Sequence, residues 1–301
     1  MYIFFVIGIC AVTIRVILDS YFGHSALLYV AVPFLVSFLL FQVTEPVKPN
    51  SPLRRYVGHL RNATIVMLST SAILFEGFIC VLFFMPIYYA VVTLGFLFDA
   101  LMTRHRERQT GKLQASLIPV VVSILAIEGV TPYTSFSREN TITRTIVVDE
   151  SVETLKANMA APIALPEKRN WFLSIFPLPV DVQAGSLSEG DVHTLDFVYK
   201  RWFFTNNDYG QFQLRIDEVG DDVVRTSVVK DSSYFSKYLD LQGTEVTFRE
   251  LSDGRTEVSL TVFYNRLLDP SWYFGPLQRS AVSLSADYLI ESVITRRTVG
   301  S

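Results

Sequence analysis

The stretch "TRTIVVDESVETLKANMAAP", residues 143–162, changes its residue pattern once, and that change indicates the fold of the second half of the chain. Ile142, Arg144, Ile146 and Val148 recur at every second position, which is typical of a half-buried strand. Ser151 follows as a candidate N-cap with helix-forming residues behind it. The stretch therefore predicts a strand that passes directly into a helix.

The residues after this helix predict a second short helix. Pro162 and Pro166 interrupt the helical pattern because proline lacks the backbone N–H that a helix interior needs. Trp171, Phe172 and Ile175 then give a second apolar face. Residues 151–176, which include the first helix, therefore predict one or two short helices in total.

From about residue 180 the pattern is that of successive strands. Six segments alternate apolar and polar residues, and the segments between them, such as "LSEGD", "TNNDYG", "VGDD" and "LSDG", supply Gly, Asn or Asp where a turn requires them. The six segments are "VDVQAG", "DVHTLDFVYKRWFF", "GQFQLRIDEVG", "DVVRTSVVKD", "TEVTFREL" and "RTEVSLTVFYNRLL". A run of hairpin-linked strands predicts an antiparallel sheet.

The chain closes with "PSWYFGPLQRSAVSLSADYLIESVITRR", which predicts one long helix. Its apolar residues recur near helical spacing, so that one face is expected to pack on the sheet. The residues predicted for this face are Leu277, Ala281, Leu284, Tyr288 and Ile294.

This order of elements resembles the helix-grip fold of the START-like (SRPBCC) superfamily, also called the polyketide cyclase/dehydrase and lipid-transport group. The resemblance covers residues 141–296 and rests on the element order, on "TRTIVVDESVETLKANMAAP" as the opening strand and helix, and on "AGSLSEGDVHTLDF" as the next hairpin. It implies an α+β domain in which a curved antiparallel sheet wraps the long C-terminal helix. It also implies a hydrophobic cavity between the sheet and that helix.

If the fold is of this kind, strand alternation indicates which side chains face the cavity. The candidate ligand-binding residues are His193, Leu195, Phe197, Tyr199, Arg201, Tyr264 and Arg266. The expected ligand is an amphiphile, either a lipid or another hydrophobic small molecule, with an anionic or hydrogen-bonding head near Arg201 or Arg266. The alternative is structural: strand-end arginines often reach solvent, and Tyr199 and Tyr264 would then be ordinary core aromatics.

The first part of the chain has the composition of a membrane region. Half of the 301 residues are hydrophobic, the mean hydropathy is +0.33 and only 18% are charged. The excess lies before about residue 133, so residues 1–133 predict a multi-pass membrane region and residues 134–301 a soluble domain. Residues 63–102 are too long for one crossing, which places a turn at Met85-Pro86. The five expected helices are 2–18, 25–43, 63–84, 86–102 and 117–133.

Basic residues predict the orientation of the membrane region. "EPVKPNSPLRRYVGHLRN" and "TRHRERQTGK" are rich in Lys and Arg, and short basic loops stay in the cytoplasm. Five crossings place the N-terminus in the cytoplasm and the C-terminal domain in the periplasm or outside the cell, as expected for a bacterial inner-membrane protein. Four crossings are the alternative, either because residues 63–102 contain one spanning helix or because one of the outer segments lies in the membrane interface. Four crossings would reverse the side of that domain.

Two acids lie in the predicted membrane helices. Glu76 and Glu128 are at depths where an ionised group is costly unless it is paired. Such acids either serve a proton or ion path, or they are protonated or hydrogen-bonded between helices. The sequence leaves both accounts open.

The sequence gives little support for metal binding, phosphate binding, nucleophilic catalysis or nucleic-acid binding. The four histidines show no metal-ligand spacing, no phosphate-binding Gly loop or nucleophile elbow occurs, and no basic stripe points to nucleic acid. We expect no catalytic residues, metal or cofactor, and a membrane, a hydrophobic ligand and other membrane proteins as partners. The alternatives to a ligand-binding module are an assembly subunit of a membrane complex, or a cyclase or dehydratase using His193, Tyr199 and Tyr264.

Overall fold

The structure divides into two compact units, each of which is built from two separate parts of the chain. The first contains Met1–Phe136 and Leu268–Phe274, and the second contains Ser137–Leu267 and Gly275–Ser301. The computed structural model describes residues 24–43, 52–73, 78–107, 117–161, 173, 178–183, 186–202 and 205–296.

The first unit is helical. A π-helical turn, Leu27–Ala31, leads into α1, Val32–Val43, and α2 spans Pro52–Ile73. Helix α3 runs over 30 residues, Phe78–Glu107, and α4 spans Leu117–Ala126. The predicted helix 2–18 lies outside the described residues.

The turn predicted at Met85-Pro86 is wrong, because α3 continues through Pro86. Proline removes one helical hydrogen bond, but a neighbouring donor can satisfy backbone groups near such a break. Here the Tyr273 hydroxyl donates to the carbonyl oxygen of Phe83 at 2.5 Å. The predicted helices 63–84 and 86–102 are therefore replaced by α2 and α3.

Two other predicted boundaries also differ from the structure. Helix α4 ends at Ala126, whereas the sequence predicted a helix over residues 117–133. Helix α2 begins at Pro52, so that Arg54, Arg55 and Arg61 lie on a helix and not in a loop. Helix propensity is high for arginine, and a basic segment therefore does not mark a loop by itself.

Within the described residues, one helical stretch is long and apolar enough to cross a membrane. It is Cys80–Leu101 in α3, with a mean hydropathy of 2.1 over 22 residues, and Leu27–Leu40 is a shorter apolar helical stretch. Length and composition are the only grounds for this assignment. The five predicted crossings are not supported.

The second unit contains one seven-stranded antiparallel sheet in the order β1-β7-β6-β5-β4-β3-β2. The first and last described strands along the chain, β1 and β7, are adjacent because β1 pairs with β7 over its full length. The strands are β1 Glu139–Val148, β2 Leu178–Gln183, β3 Val192–Trp202, β4 Thr205–Val219, β5 Val223–Asp231, β6 Leu239–Glu250 and β7 Thr256–Arg266.

Two helices accompany this sheet. Helix α5, Val152–Ala160, begins where predicted, with the Ser151 hydroxyl accepting from the Thr154 N–H. Helix α6 is the long terminal helix, Ser271–Leu289, and a π-helical turn, Ile290–Ile294, extends it. The antiparallel sheet with its long C-terminal helix fits the predicted helix-grip fold. The second short helix predicted near Trp171 lies outside the described residues.

The face that α6 buries differs from the predicted one. Val282, Ala286, Ile290 and Ile294 share one hydrophobic core with strand residues such as Val258. Of the predicted stripe, only Ile294 belongs to this buried set, whereas Leu277, Ala281, Leu284 and Tyr288 are half-buried. A small side chain such as Ala286 lets the helix approach the sheet closely, which a search for large apolar residues misses.

The segment "TNNDYG", residues 205–210, was predicted to be a turn and is instead the start of β4. Asn and Asp favour turns only when tertiary pairing does not override them. Tyr209 pairs with Val198 and Gly210 with Phe197 in the β3–β4 ladder.

Candidate ligand-binding face

The inner face of the sheet is the one that shares a core with α6. On β7 it carries Val258, Leu260 and Val262, which are all buried, while Ser259 and Thr261 alternate on the outer face. Val224 on β5 and Val246 and Phe248 on β6 join the same buried core. The half of the sheet formed by β5, β6 and β7 is therefore closed by its own side chains.

The other half of the inner face is packed less completely. His193 pairs with Leu214 and Leu195 with Phe212, so β3 and β4 present these residues on one side. Phe212 is buried, whereas His193, Leu195 and Phe197 remain half-buried. The four candidate residues His193, Leu195, Phe197 and Tyr199 share this face, as the alternation predicted.

A glycine allows the β5–β6 connection to fold over this half of the face. A Cβ at Gly210 would lie 2.5 Å from the Ser233 Cα and 2.6 Å from the Ser232 carbonyl oxygen, too close for any other residue. The Ser232 N–H donates to the Gln211 carbonyl at 2.8 Å, and the Gln211 N–H donates to the Ser232 hydroxyl at 3.0 Å. We call residues 232–238, which include the 3₁₀ turn Tyr234–Lys237, the crossing segment.

Three tyrosines form a row: Tyr199 on β3, and Tyr234 and Tyr238 in the crossing segment. The rings of Tyr199 and Tyr234 stack with centroids 4.3 Å apart and an interplanar angle of 26°. The Tyr238 hydroxyl donates to the Tyr234 hydroxyl at 3.1 Å, and their rings lie 5.5 Å apart. Phe235 contacts Phe197 edge to face at 6.3 Å. The row carries hydroxyl groups along an otherwise apolar face.

The row ends near the C-terminal end of β7. The Tyr238 carbonyl accepts from the Leu267 N–H at 3.3 Å and from the Gln278 side-chain amide at 2.8 Å. Tyr264 and Arg266 are buried on the inner face of β7. Burial raises the pKa of the Tyr264 phenol, and the positive charges of Arg279 and Arg266 oppose that rise. The C-terminal end of β7 therefore carries a neutral phenol, that of Tyr264, and a buried guanidinium, that of Arg266.

The structure thus brings some of the candidate residues together and separates others. Tyr199 is connected to the end of β7 only through the crossing segment: its ring stacks on Tyr234, and the Tyr238 carbonyl accepts from the Leu267 N–H. Strands β4, β5 and β6 lie between β3 and β7. His193 lies six residues before Tyr199 on the same strand, about 20 Å away at the usual strand rise, and its Nε2 contacts the Ser186 carbonyl at 2.9 Å. The side chain of Arg201 lies outside the described part of the structure.

Three residues of this site were missed from the sequence. Tyr234, Tyr238 and Gln278 lie in a strand connection and on a helix face that was expected to be only structural. The signal that could have found them is the aromatic cluster "YFSKY" directly after "SS", combined with a glycine, Gly210, at the boundary between a predicted turn and a predicted strand. Neither shows from the sequence alone which face the connection covers.

The two predicted membrane acids have different outcomes. Glu76 lies outside the described residues. Glu128 follows the end of α4 and is not inside a helix, which corrects its predicted position in a membrane helix. Its side chain is buried, and its Oε1 accepts from the Ser271 N–H at 2.9 Å. Glu128 therefore caps the N-terminus of α6, where a negative charge is favourable.

Neither protein families nor curated proteins give a match to this sequence. Among solved structures, a START superfamily protein from Mycobacterium smegmatis is 14% identical, with a TM-score of 0.36, and aligns over 52% of this chain and 95% of its own. Ara h 8.0201 is 8% identical, with a TM-score of 0.33, over 52% and 99% of the two chains. Norcoclaurine synthase from Thalictrum flavum, in complex with dopamine and hydroxybenzaldehyde, is 10% identical, with a TM-score of 0.34, over 54% and 90%. Each similarity covers about half of this chain.

Proposed function

We propose that this protein is a membrane-anchored START-like module that binds a lipid or another hydrophobic small molecule on the inner face of its sheet. The observation that carries the proposal is the unequal packing of that face. The half formed by β5, β6 and β7 is filled by buried aliphatic side chains, whereas Leu195 and Phe197 on β3 remain partly accessible. An apolar face with a few polar groups at one end suits a hydrophobic ligand.

The polar end of the ligand is proposed to lie where the tyrosine row meets β7 and α6. The Oε1 atom of Gln278 is buried and has no hydrogen-bond partner among the described residues. An unsatisfied buried acceptor is costly, and a donor on a ligand would satisfy it. Arg266 and Tyr238 add a positive charge and a hydroxyl nearby. Arg201 is retained as a second candidate partner for the head group.

Photo-crosslinking to the full chain in detergent tests the site. A diazirine derivative of palmitic acid should label β3 and the crossing segment, as identified by mass spectrometry of the digested protein. Phe197→Arg should abolish this labelling, because it places a charge on the inner face. The matched variant Val198→Arg changes the neighbouring residue on the outer face and should leave labelling intact. Labelling confined to the helices of the first unit would contradict the proposed site.

Competition between related ligands tests the head-group assignment. Unlabelled palmitic acid and 1-hexadecanol should compete with the photoactivatable probe about tenfold more strongly than methyl palmitate does, since the ester has neither a charge nor a donor. Equal competition by all three would mean that the tail alone is recognised.

We also propose that the first unit is integral to a bacterial inner membrane. Its helices expose large apolar side chains, among them Leu35, Val57, Ile65, Leu97 and Ile124. Polar groups are instead bonded between helices: the Ser37 hydroxyl lies 2.8 Å from His59 Nε2, and the Tyr88 hydroxyl donates to the Ala63 carbonyl at 2.8 Å. Exposed apolar residues around bonded polar ones suit a lipid solvent.

The orientation is proposed from the basic residues. Arg54 and Arg55 begin α2 and Arg104 and Arg106 end α3, whereas the connection between the helices, residues 74–77, contains neither Lys nor Arg. The Arg55 guanidinium also bonds the Asp99 carboxylate. The basic ends are proposed to face the cytoplasm and the second unit the periplasm.

A reporter fusion after Ser301 tests this orientation. Alkaline phosphatase is active only after export, so the fusion should be active, and a cytoplasmic fluorescent reporter at the same position should be dark. The reverse pair of results would place the ligand-binding unit in the cytoplasm and would require an even number of crossings.

A further inference from the structure

Strand β1 forms one edge of the sheet in the second unit, because it pairs with β7 on one side only. The Arg266 N–H donates to the Arg138 carbonyl, and an antiparallel ladder repeats this bonding at every second residue. The even-numbered residues of β1 therefore bond β7, whereas the odd-numbered residues direct their N–H and C=O groups to the edge. No described residue bonds the backbone groups of these odd-numbered residues, which are Glu139, Thr141, Thr143, Thr145 and Val147.

Strand β1 lacks the features that protect an edge strand. It pairs with β7 over all 10 of its residues without a register shift, and it contains neither proline nor lysine. Thr141, Thr143 and Thr145 are exposed, and their β-branched side chains favour a strand. Proline, lysine, bulges and short length usually blunt an edge strand, because an open edge is a template for another strand. The β1 edge is therefore open to pairing.

The opposite edge of the described sheet is protected. Strand β2 has only 6 residues, and a register shift interrupts its pairing with β3 between Pro179 and Asp181. Pro179 also has no N–H to offer. A short strand with a bulge and a proline is a poor template for a further strand. The chain thus blunts one edge and leaves the longer edge open, which favours a partner at β1.

The one charged side chain between the ends of β1 is already neutralised. Arg144 belongs to the even-numbered set, and its guanidinium bonds both carboxylate oxygens of Asp287 on α6. A charge within an edge strand opposes a second strand unless it is paired. Because Asp287 pairs this charge within the same unit, a strand added at β1 does not have to carry an acid.

We propose that β1 pairs antiparallel with β1 of a second copy of this chain, so that two sheets join into one across a two-fold axis. Only odd-numbered residues can exchange bonds, because only they direct N–H and C=O groups to the edge. Centring the pair on Thr143 places Thr141 opposite Thr145, and Glu139 opposite Val147, of the second copy. Every odd-numbered residue of β1 then pairs, which gives about ten backbone hydrogen bonds.

Charge and strand length both support this register. Centred on Thr143, the pair places Arg144 opposite Ile142 of the second copy, and no like charges within β1 face each other. Centring on Arg144 would place two guanidinium groups opposite each other, which is destabilising. Centring on Ile142 would carry Val147 beyond the first residue of the other β1 and lose two of its pairs. The β1 edge therefore complements itself in one register, and this selects a second copy as the partner.

Analytical ultracentrifugation of the full chain in detergent tests the inference. The chain should form a dimer, and Thr143→Pro should weaken this dimer at least about tenfold. The two Thr143 residues face each other, so proline removes both central N–H donors, but it spares the bonds to β7, which come from even-numbered residues. Thr143→Val is the matched control, because it removes the hydroxyl and keeps the N–H. It should leave the dimer intact.

Cysteine crosslinking gives a second measurement that does not need the proline variant to fold. With Cys10 and Cys80 replaced by serine, a short bismaleimide should link Thr143→Cys to the second copy. Residues that exchange bonds in an antiparallel pair have Cα atoms about 5.5 Å apart. Val229→Cys is the matched control: this residue is exposed, but it lies on β5, three strands away from β1, and should not be linked.

Three results would overturn the inference. A wild-type chain that is monomeric in detergent would leave the β1 edge to an extended peptide of another protein or to none. A folded Thr143→Pro variant that dimerises as strongly as the wild type would place the contact on another surface. Absent linking of Thr143→Cys, or equal linking of Thr143→Cys and Val229→Cys, would exclude a specific β1 pair. None of these results bears on ligand binding, which concerns the inner face of the sheet.

Discussion

Both units bury apolar side chains, such as Val92 in the first and Val258 in the second, but the helices of the first unit also expose many large apolar side chains. In the first unit Ser37 is fully buried while Ile124 is 66% exposed, whereas in the second unit Val258 is fully buried and its neighbour Ser259 lies on the outer face. In water, apolar burial drives folding, which gives the pattern of the second unit. In lipid there is no such drive, and hydrogen bonds and close packing hold helices together. With the first unit in a membrane, as we propose, the comparison teaches that one chain follows two sets of packing rules, one for each solvent.

The largest expected effect tests whether burial of apolar side chains stabilises the second unit. Phe248→Ala removes a buried ring from the core shared with α6 and should cost about 3 to 5 kcal/mol of unfolding free energy. Phe263→Ala changes a ring that is 38% exposed on the neighbouring strand and should cost less than about 1 kcal/mol. Denaturant unfolding followed by the circular dichroism of the sheet measures both. Equal losses would mean that the inner face is not the principal core.

The next effect tests whether the exposed apolar side chains of the first unit contact lipid. Ile124→Lys should reduce membrane insertion by about 2.5 to 3.5 kcal/mol if this face of α4 contacts lipid. Val229→Lys makes the same change at an exposed residue of β5 in the second unit and should change stability by less than about 0.5 kcal/mol. Carbonate extraction of membranes measures the inserted fraction. Full insertion of the Ile124→Lys variant would remove this support for the proposed membrane contact.

A smaller effect concerns a buried polar group in the second unit. The Thr256 hydroxyl is buried and donates to the Glu150 carbonyl at 2.7 Å, beside the end of β1. Thr256→Val keeps the shape and removes this bond, which should cost about 1 kcal/mol. Thr261→Val, on the outer face opposite Thr143, is the control and should cost less than half as much. Thermal unfolding ranks the two variants.

The smallest effect concerns an ion pair between the sheet and α6. Arg144 bonds both oxygens of Asp287, at 2.6 Å and 2.9 Å, and both side chains are partly exposed to solvent. Arg144→Gln should cost at most about 0.5 kcal/mol, and the difference should shrink further at 1 M salt. A large loss that salt does not change would show that Arg144 stabilises the fold by packing and not by charge.

Much of the second unit could be predicted because its pattern is local. The Ser151 cap, the alternation around Ile146 and the turn residues near Gly254 each act within a few residues, and the strand and helix order follows from them. The prediction failed where distant residues decide the outcome. Pro86 lies inside a helix, with the Tyr273 hydroxyl bonded to the Phe83 carbonyl one turn before it, and "TNNDYG" is a strand because β3 pairs with it.

The candidate site was predicted only along its strands. His193, Leu195, Phe197 and Tyr199 share one face, as strand alternation requires, since successive side chains point to opposite sides. The sequence could not show that a strand connection folds back over that face at Gly210, because this depends on the space between two chain segments.

The sequence alone determined the alternating strands, the capped helix after β1 and the apolar character of the first unit, because each follows from neighbouring residues and their solvent preference. Only the tertiary structure decided which residues meet. It set Tyr234 on Tyr199, placed Glu128 at the start of α6 and assigned the first turn of that helix to the first unit. The physical reason is that such contacts join residues far apart in the chain, so their energies depend on the folded geometry and not on local propensity.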